Sequence, residues 1–189
     1  MHGHTAAGKL QGLTSDAPWY EAALLVGITN ALNVVADSPL GSLESAETSA
    51  DAEAVYAEIR AFYSRAVPVP FLRLAGDAGY LAEVWAATRR AFADGRLTRR
   101  FKEGLAFAVS VTTRSAFGTE FHLAEMRRCG VGARGVMEIL GVTQMFSSYT
   151  KIADTLQLEP DMHDIAPVDW SPAPGGAPRP PAAPREETP

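Results

Sequence analysis

Two side chains in the middle of the chain carry the chemistry that the sequence offers, Glu103 and His122. Glu103 opens an apolar helical run, Phe101 to Val111, in which the residues three, four and seven places on are Ala106, Phe107 and Ser110 and the residue four places back is Arg99. A carboxylate at the edge of such a face is partly withdrawn from water, a setting that suits a general base. A first-turn glutamate is also favoured by the helix dipole alone, so position by itself does not make it catalytic. His122 follows on the next helix, beyond a break at Gly118, with Glu120 and Glu125 beside it. Two antiparallel helices packed about 8 to 10 Å apart bring residues near facing ends within hydrogen-bond reach or one water apart. The expected chemistry is proton exchange between a carboxylate and an imidazole.

Other chemistries find less support. His122 with Glu120, Glu125 or Glu103 is not a recognisable metal ligand set, because the di-iron bundle pattern runs Glu-x-x-His on paired helices and here the order is His-x-x-Glu, once. His2, His4 and His163 lie in polar terminal stretches. No metal and no cofactor is expected. Ser115 and Thr119 flank Gly118 close to His122, but no Gly-x-Ser-x-Gly elbow is present. Cys129, the single cysteine, lies two helical turns and about 10 Å beyond His122, too far for a thiol–imidazole pair. Neither a phosphate-cradling glycine loop nor a dinucleotide fingerprint occurs.

With 189 residues, 47% of them hydrophobic, the chain suits one domain with a substantial core. A net charge of −5 gives no reason to expect nucleic acid, whose phosphates need a concentrated basic face. The basic groups Arg89-Arg90 and Arg96, Arg99, Arg100 and Lys102 read as solvated faces flanking helices. One cysteine permits no internal disulfide and fits a reducing cytoplasm. The first fifteen residues have no signal-peptide pattern, and the apolar run Ala22 to Ala36, interrupted by Thr29, Asn30 and Asn33, reads as too short and too polar for a membrane span.

The elements that must position the pair are all helical. Asp16-Ala-Pro18 starts the first helix, whose apolar positions Leu24, Leu25, Ile28, Leu32 and Val35 recur at helical spacing until Asp37-Ser38-Pro39. A polar loop, Gly41 to Ser49, precedes a second helix capped by Ser49 or Asp51 and stopped by Pro68 and Pro70. A third follows Asp77, burying Leu81, Val84, Trp85, Thr88 and Phe92. Leu97-Thr98 then reads as a staple and cap for a fourth, from Arg99 toward Thr113. The fifth spans Thr119 to about Arg128 before Gly130, the short sixth Ala133 to Leu140, and the seventh, beyond Gly141, carries Val142, Met145, Phe146, Tyr149, Ile152 and Leu156. The fold class is therefore all-α, a single helical domain over residues 16–160, with a flexible stretch at 1–15 and a Pro/Ala-rich tail at 161–189.

The segment Lys102-Glu103-Gly-Leu-Ala-Phe-Ala-Val-Ser110, followed by Ser115-Ala-Phe-Gly118-Thr-Glu-Phe-His122, resembles the core of the alkylhydroperoxidase D-like and carboxymuconolactone decarboxylase superfamily, over about Pro70 to Leu158. In the redox branch this core is a glutamate followed by Cys-x-x-Cys-x-x-x-His in the same register. The resemblance implies Glu103 as base and His122 as proton relay, while Ser115 and Gly118 stand where that branch has its cysteines. Neither supports a thiol oxidation cycle. The implied activity is acid–base chemistry on a small organic acid or lactone, with Ser115 donating a hydrogen bond and Arg114 and Arg99 contacting the anion. Pro68 to Trp85 is also similar to part of the group I haloacid dehalogenases, which implies a hydrolytic alternative. A third reading is a non-catalytic binding or assembly subunit, since members of the superfamily form homodimers and larger rings; a sealed Glu103–His122 pair would then be structural, whereas an enzyme needs an open path to it.

Overall fold

A computed structural model of the chain describes residues 15–38 and 49–157. Seven α-helices and no strand occur among them: α1 Ala17–Asp37, α2 Ala50–Tyr63, α3 Val69–Arg73, α4 Ala78–Phe92, α5 Arg99–Thr112, α6 Ala116–Arg128 and α7 Ala133–Leu156. The all-α expectation holds. The loop at 41–48, His2, His4, His163 and the proline-rich tail lie outside the described residues.

Local signals set most boundaries. The side chains of Ser49, Asp77 and Thr98 accept from the backbone N–H three residues on, at Ala52, Tyr80 and Phe101, and so cap α2, α4 and α5. Gly130, at φ 78, supplies the left-handed residue that ends α6. Three boundaries differ from the sequence reading. Pro68 and Pro70 do more than stop α2: Pro68 caps a five-residue helix, α3, with a proline in its first turn, where no N–H is needed. α6 starts at Ala116 instead of Thr119, because Ser115 Oγ accepts from the Gly118 N–H at 3.0 Å and draws Gly118 into the first turn. α7 is one helix of 24 residues that passes through Gly141. A glycine inside a helix costs only about 1 kcal/mol relative to alanine, less than the periodic side chains on either side of it supply.

The largest core cluster joins α1, α2, α3, α4 and α6 through Leu32, Tyr56, Ile59, Tyr63, Phe71, Leu81, Trp85 and Phe121. A second, formed by Leu25, Ala91, Phe92 and Ala106, seats α5 on α1 and α4. A third, formed by Phe107, Met126 and Val131, closes the far side of α5. Two polar contacts fix the register of α1 on α5: Glu21 Oε2 lies 3.4 Å from Lys102 Nζ, and Asn33 Nδ2 donates to Ser110 Oγ at 3.0 Å. Both numberings rise together, so α1 and α5 run parallel.

By length and hydropathy α1 is the one helix among the described residues that meets the criteria for a membrane span. It is longer than the run read from the sequence, yet its inner stripe of Leu25, Thr29, Leu32, Asn33 and Ala36 is buried in the bundle.

Glu21 also ties α1 to the turn before α5, its carboxylate accepting from the N–H of Arg96 at 3.0 Å and of Leu97 at 2.9 Å. Those two donors, Leu97 first, hold the carboxyl below its ordinary range. A depressed folded-state pKa contributes stability above the unfolded value, and that contribution is lost as pH falls through the folded one. Glu21→Gln is therefore expected to destabilise the protein by roughly 1–2 kcal/mol at pH 7. The difference from wild type should shrink progressively below pH 4.5 in urea titrations run across pH, and a difference constant down to pH 2 would refute the assignment.

Candidate functional site

α5 and α6 run antiparallel and bring Glu103 and His122 together, with Nδ1 of the ring 2.8 Å from Oε2 of the carboxylate. The second carboxylate oxygen, Oε1, accepts from Nε of Arg99, one turn back on α5, at 2.5 Å. Glu103 has no exposed surface and His122 has 5%. Phe92 of α4 stacks flat on the imidazole at 5.6 Å and Phe121 meets it edge-on at 5.2 Å, which fixes the plane of the ring. With Glu103 as acceptor, the Nδ1–H points at the carboxylate and the lone pair of a neutral ring sits on Nε2. Nε2 has no hydrogen-bond partner among the described residues.

The pair is one end of a longer charged network. The Arg99 guanidinium lies over Phe62 at 4.5 Å and also faces Tyr63 and Phe92. It reaches Glu125 of α6 at 3.3 Å. Glu125 is itself 1% exposed. It accepts from Arg128 at 2.7 Å and lies 3.7 Å from Arg65. Three guanidiniums therefore surround two carboxylates. Arg65 and Arg128, whose side chains are 44% and 46% exposed, carry the network to the surface. Burial, and after it Glu103, push the Tyr63 phenol well above its ordinary pKa and keep it protonated.

The site thus joins Glu103, His122 and Arg99 and leaves the other expected members apart. Arg114 sits in a left-handed turn after α5, at φ 59, exposed. Eleven residues of helical rise, about 16 Å, separate it from Glu103. Its guanidinium makes no hydrogen bond or ion pair with a described residue. The buried Ser115 hydroxyl is engaged as the α6 cap, with about 10 Å of helix between it and His122. Burial, and after it Glu103, raise the pKa of the half-buried Cys129 thiol and so keep it out of the reactive thiolate form.

Glu125, Arg65, Arg128, Tyr63 and Phe92 were not read as site residues. Glu125 and Arg128 had a local signal, lying three and six places after His122 on its helix; Arg65 had none.

Among the described residues, grooves open on the surface at two places away from the pair. One, of about 560 Å³, lies between α5 and α7 along Phe101, Leu105, Ile139 and Val142; the other, of about 600 Å³, lies beside Leu123, Val136 and Met137. Neither is lined by Glu103 or His122.

The segment from Gly79 in α4 to just past α7 matches the carboxymuconolactone decarboxylase family. Residues 79–158 carry a carboxymuconolactone decarboxylase domain. No curated protein and no solved structure matches the chain. The domain contains Glu103, His122, Arg99 and Glu125, while α1 and α2, which supply Thr29, Asn33 and Tyr63, lie before the matched segment. Arg65 lies before it as well.

Proposed function

We propose that this carboxymuconolactone decarboxylase-like protein transfers protons to and from a small organic acid or lactone, with His122 Nε2 as the exchanging atom. The observation that carries the reading is the 2.8 Å bond from Nδ1 to Glu103, which fixes the tautomer and leaves Nε2 unpartnered. Glu103 then acts as a positioning residue, because Arg99 and His122 occupy both of its oxygens. That exchanges the roles expected from the sequence. The attraction for an organic anion comes from the single guanidinium in excess, delivered at the surface by Arg65 and Arg128 in place of Arg114.

The test is a screen of lactones, keto acids and haloacids with wild type, Glu103→Gln and His122→Asn. Turnover of a lactone or keto acid that falls by about 10²–10⁴ in both variants supports the reading. Haloacid turnover supports the hydrolytic alternative, and activity that survives both substitutions refutes proton transfer by this pair.

The closure of the pair favours a second reading, an assembly subunit in which the network is structural. Both readings include a homodimer. α7 buries none of its 24 residues and exposes Val142, Met145, Phe146, Tyr149, Ile152 and Leu156 along one stripe, each more than half exposed. An apolar stripe of this size marks an interaction surface. Between Val142 and Leu156 the only charges are Lys151 and Asp154, opposite in sign, so a second copy of α7 meets no net repulsion. Sedimentation at micromolar concentration is expected to show a dimer or larger ring. Phe146→Glu combined with Ile152→Glu should yield a folded monomer, and a wild-type monomer would refute the interface.

A further inference from the structure

Thr29 Oγ1 is the one buried side-chain nitrogen or oxygen without a hydrogen-bond partner among the described residues. Hydroxyls inside a helix ordinarily satisfy themselves on the carbonyl four residues back. Thr88 and Ser110, as fully buried as Thr29, do so, donating to Val84 O at 2.8 Å and to Ala106 O at 2.9 Å. Thr112, Thr143, Thr150 and Thr155 do the same. Thr29 does not, so its hydroxyl is turned away from the Leu25 carbonyl and toward the bundle interior.

The register of the helices says what lies there. On α1, Asn33 is one turn after Thr29 on the same buried stripe, and it bonds Ser110. On α6, Gly118 lies against both of these: a Cβ there would stand 2.2 Å from Asn33 Oδ1 and 2.5 Å from Ser110 Oγ. One turn after Gly118 on α6 is His122. α1 runs parallel to α5 and α6 antiparallel to it, so a step back from Asn33 to Thr29 matches a step forward from Gly118 to His122. Thr29 and His122 stand at the same level of the bundle, each with a hydrogen-bonding atom that nothing in the described protein engages.

We infer that one water molecule bridges Thr29 Oγ1 and His122 Nε2. The Thr29 O–H donates to the water and the water donates to the Nε2 lone pair, extending the chain as Thr29, water, His122, Glu103, Arg99. A water held between the two satisfies the Thr29 hydroxyl, which is otherwise buried without a partner. Thr29 is then a positioning residue outside the matched family segment. Its part in holding the exchangeable proton rests on the proton-transfer reading above, while the bridge does not.

Two measurements on the full chain test it, and turnover enters neither. In wild type, a crystal structure at a resolution that shows ordered water should place one within hydrogen-bond distance of both atoms. Thr29 Oγ1 bonded instead to the Leu25 carbonyl, with no water, overturns the proposal whether or not any variant folds. In ¹⁵N spectra of the His122 ring, Thr29→Val should shift the Nε2 resonance and leave Nδ1 close to wild type, and Thr29→Ser should keep both. A valine variant whose Nε2 resonance superimposes on wild type overturns the bridge.

Discussion

Glu103→Ala is expected to lower the unfolding free energy by about 3–5 kcal/mol, the cost of removing one member of a buried, hydrogen-bonded ion pair. The estimate follows from what remains behind. The Arg99 guanidinium, with a side chain only 15% exposed, is held beneath three aromatic rings and cannot turn out to solvent without leaving them. Its one remaining acceptor, Glu125, already serves Arg128 and Arg65. His122 loses the acceptor of its Nδ1–H in the same step. Urea unfolding of the variant measures the loss, and a change below about 1 kcal/mol would mean that the network is not energetically coupled. The companion test is Arg99→Met with Glu103→Leu, which removes both charges at similar volume and should recover most of the loss, as apolar replacements of buried ion pairs do.

The second large effect concerns the glycine inside the helix that carries His122. Gly118→Cys is expected to cost about 2–3 kcal/mol, at the upper end for overpacked cores. The new Cβ would stand 2.2 Å from Asn33 Oδ1 and 2.9 Å from Asn33 Cγ. Asn33 is poorly placed to yield, since its amide donates to Ser110 at 3.0 Å and to Thr113 at 3.3 Å. Ser115→Cys with Gly118→Cys should therefore give a destabilised protein that does not reduce peroxide with a dithiol. Adding Asn33→Ala opens the space and should restore at least half of the lost stability. A Gly118→Cys protein as stable as wild type would show that α1 shifts freely on α6, contrary to the contacts seen.

These two cases separate what the residue order reveals from what packing decides. The pairing of Glu103 with His122 was legible, because both lie near facing ends of consecutive helices and a short connection leaves few arrangements. Arg99 was expected to contact a substrate anion, and the structure instead engages it with Glu103, one turn away, and with Glu125 on α6. The caps at Ser49, Asp77 and Thr98 needed only their own neighbours. Asn33 against Gly118 and Arg65 against Glu125 are contacts between distant segments whose register is set by how large side chains interlock, and nothing near either residue announces it. Arg114 illustrates the converse: adjacent in sequence to Ser115, it was grouped with the site by proximity along the chain, and the rise of α5 carries it to the opposite end. The continuity of α7 was hidden because a glycine is a weak helix breaker when the residues around it keep the period.

That continuity has a consequence for how the protein responds to dilution. The first half of α7 is anchored, with Val136, Ile139 and Leu140 packed against Phe107, Met126 and Val131. Beyond Val142 the helix leaves that support, and a segment of this length is marginal as an isolated helix in water. In the proposed homodimer its order is borrowed from the second copy that covers its apolar stripe. If copies pair through α7 as proposed above, its last four turns form a concentration gauge: their amides are expected to exchange slowly when copies are abundant and quickly when they are scarce, while the amides around Glu103 and His122 do not register the difference.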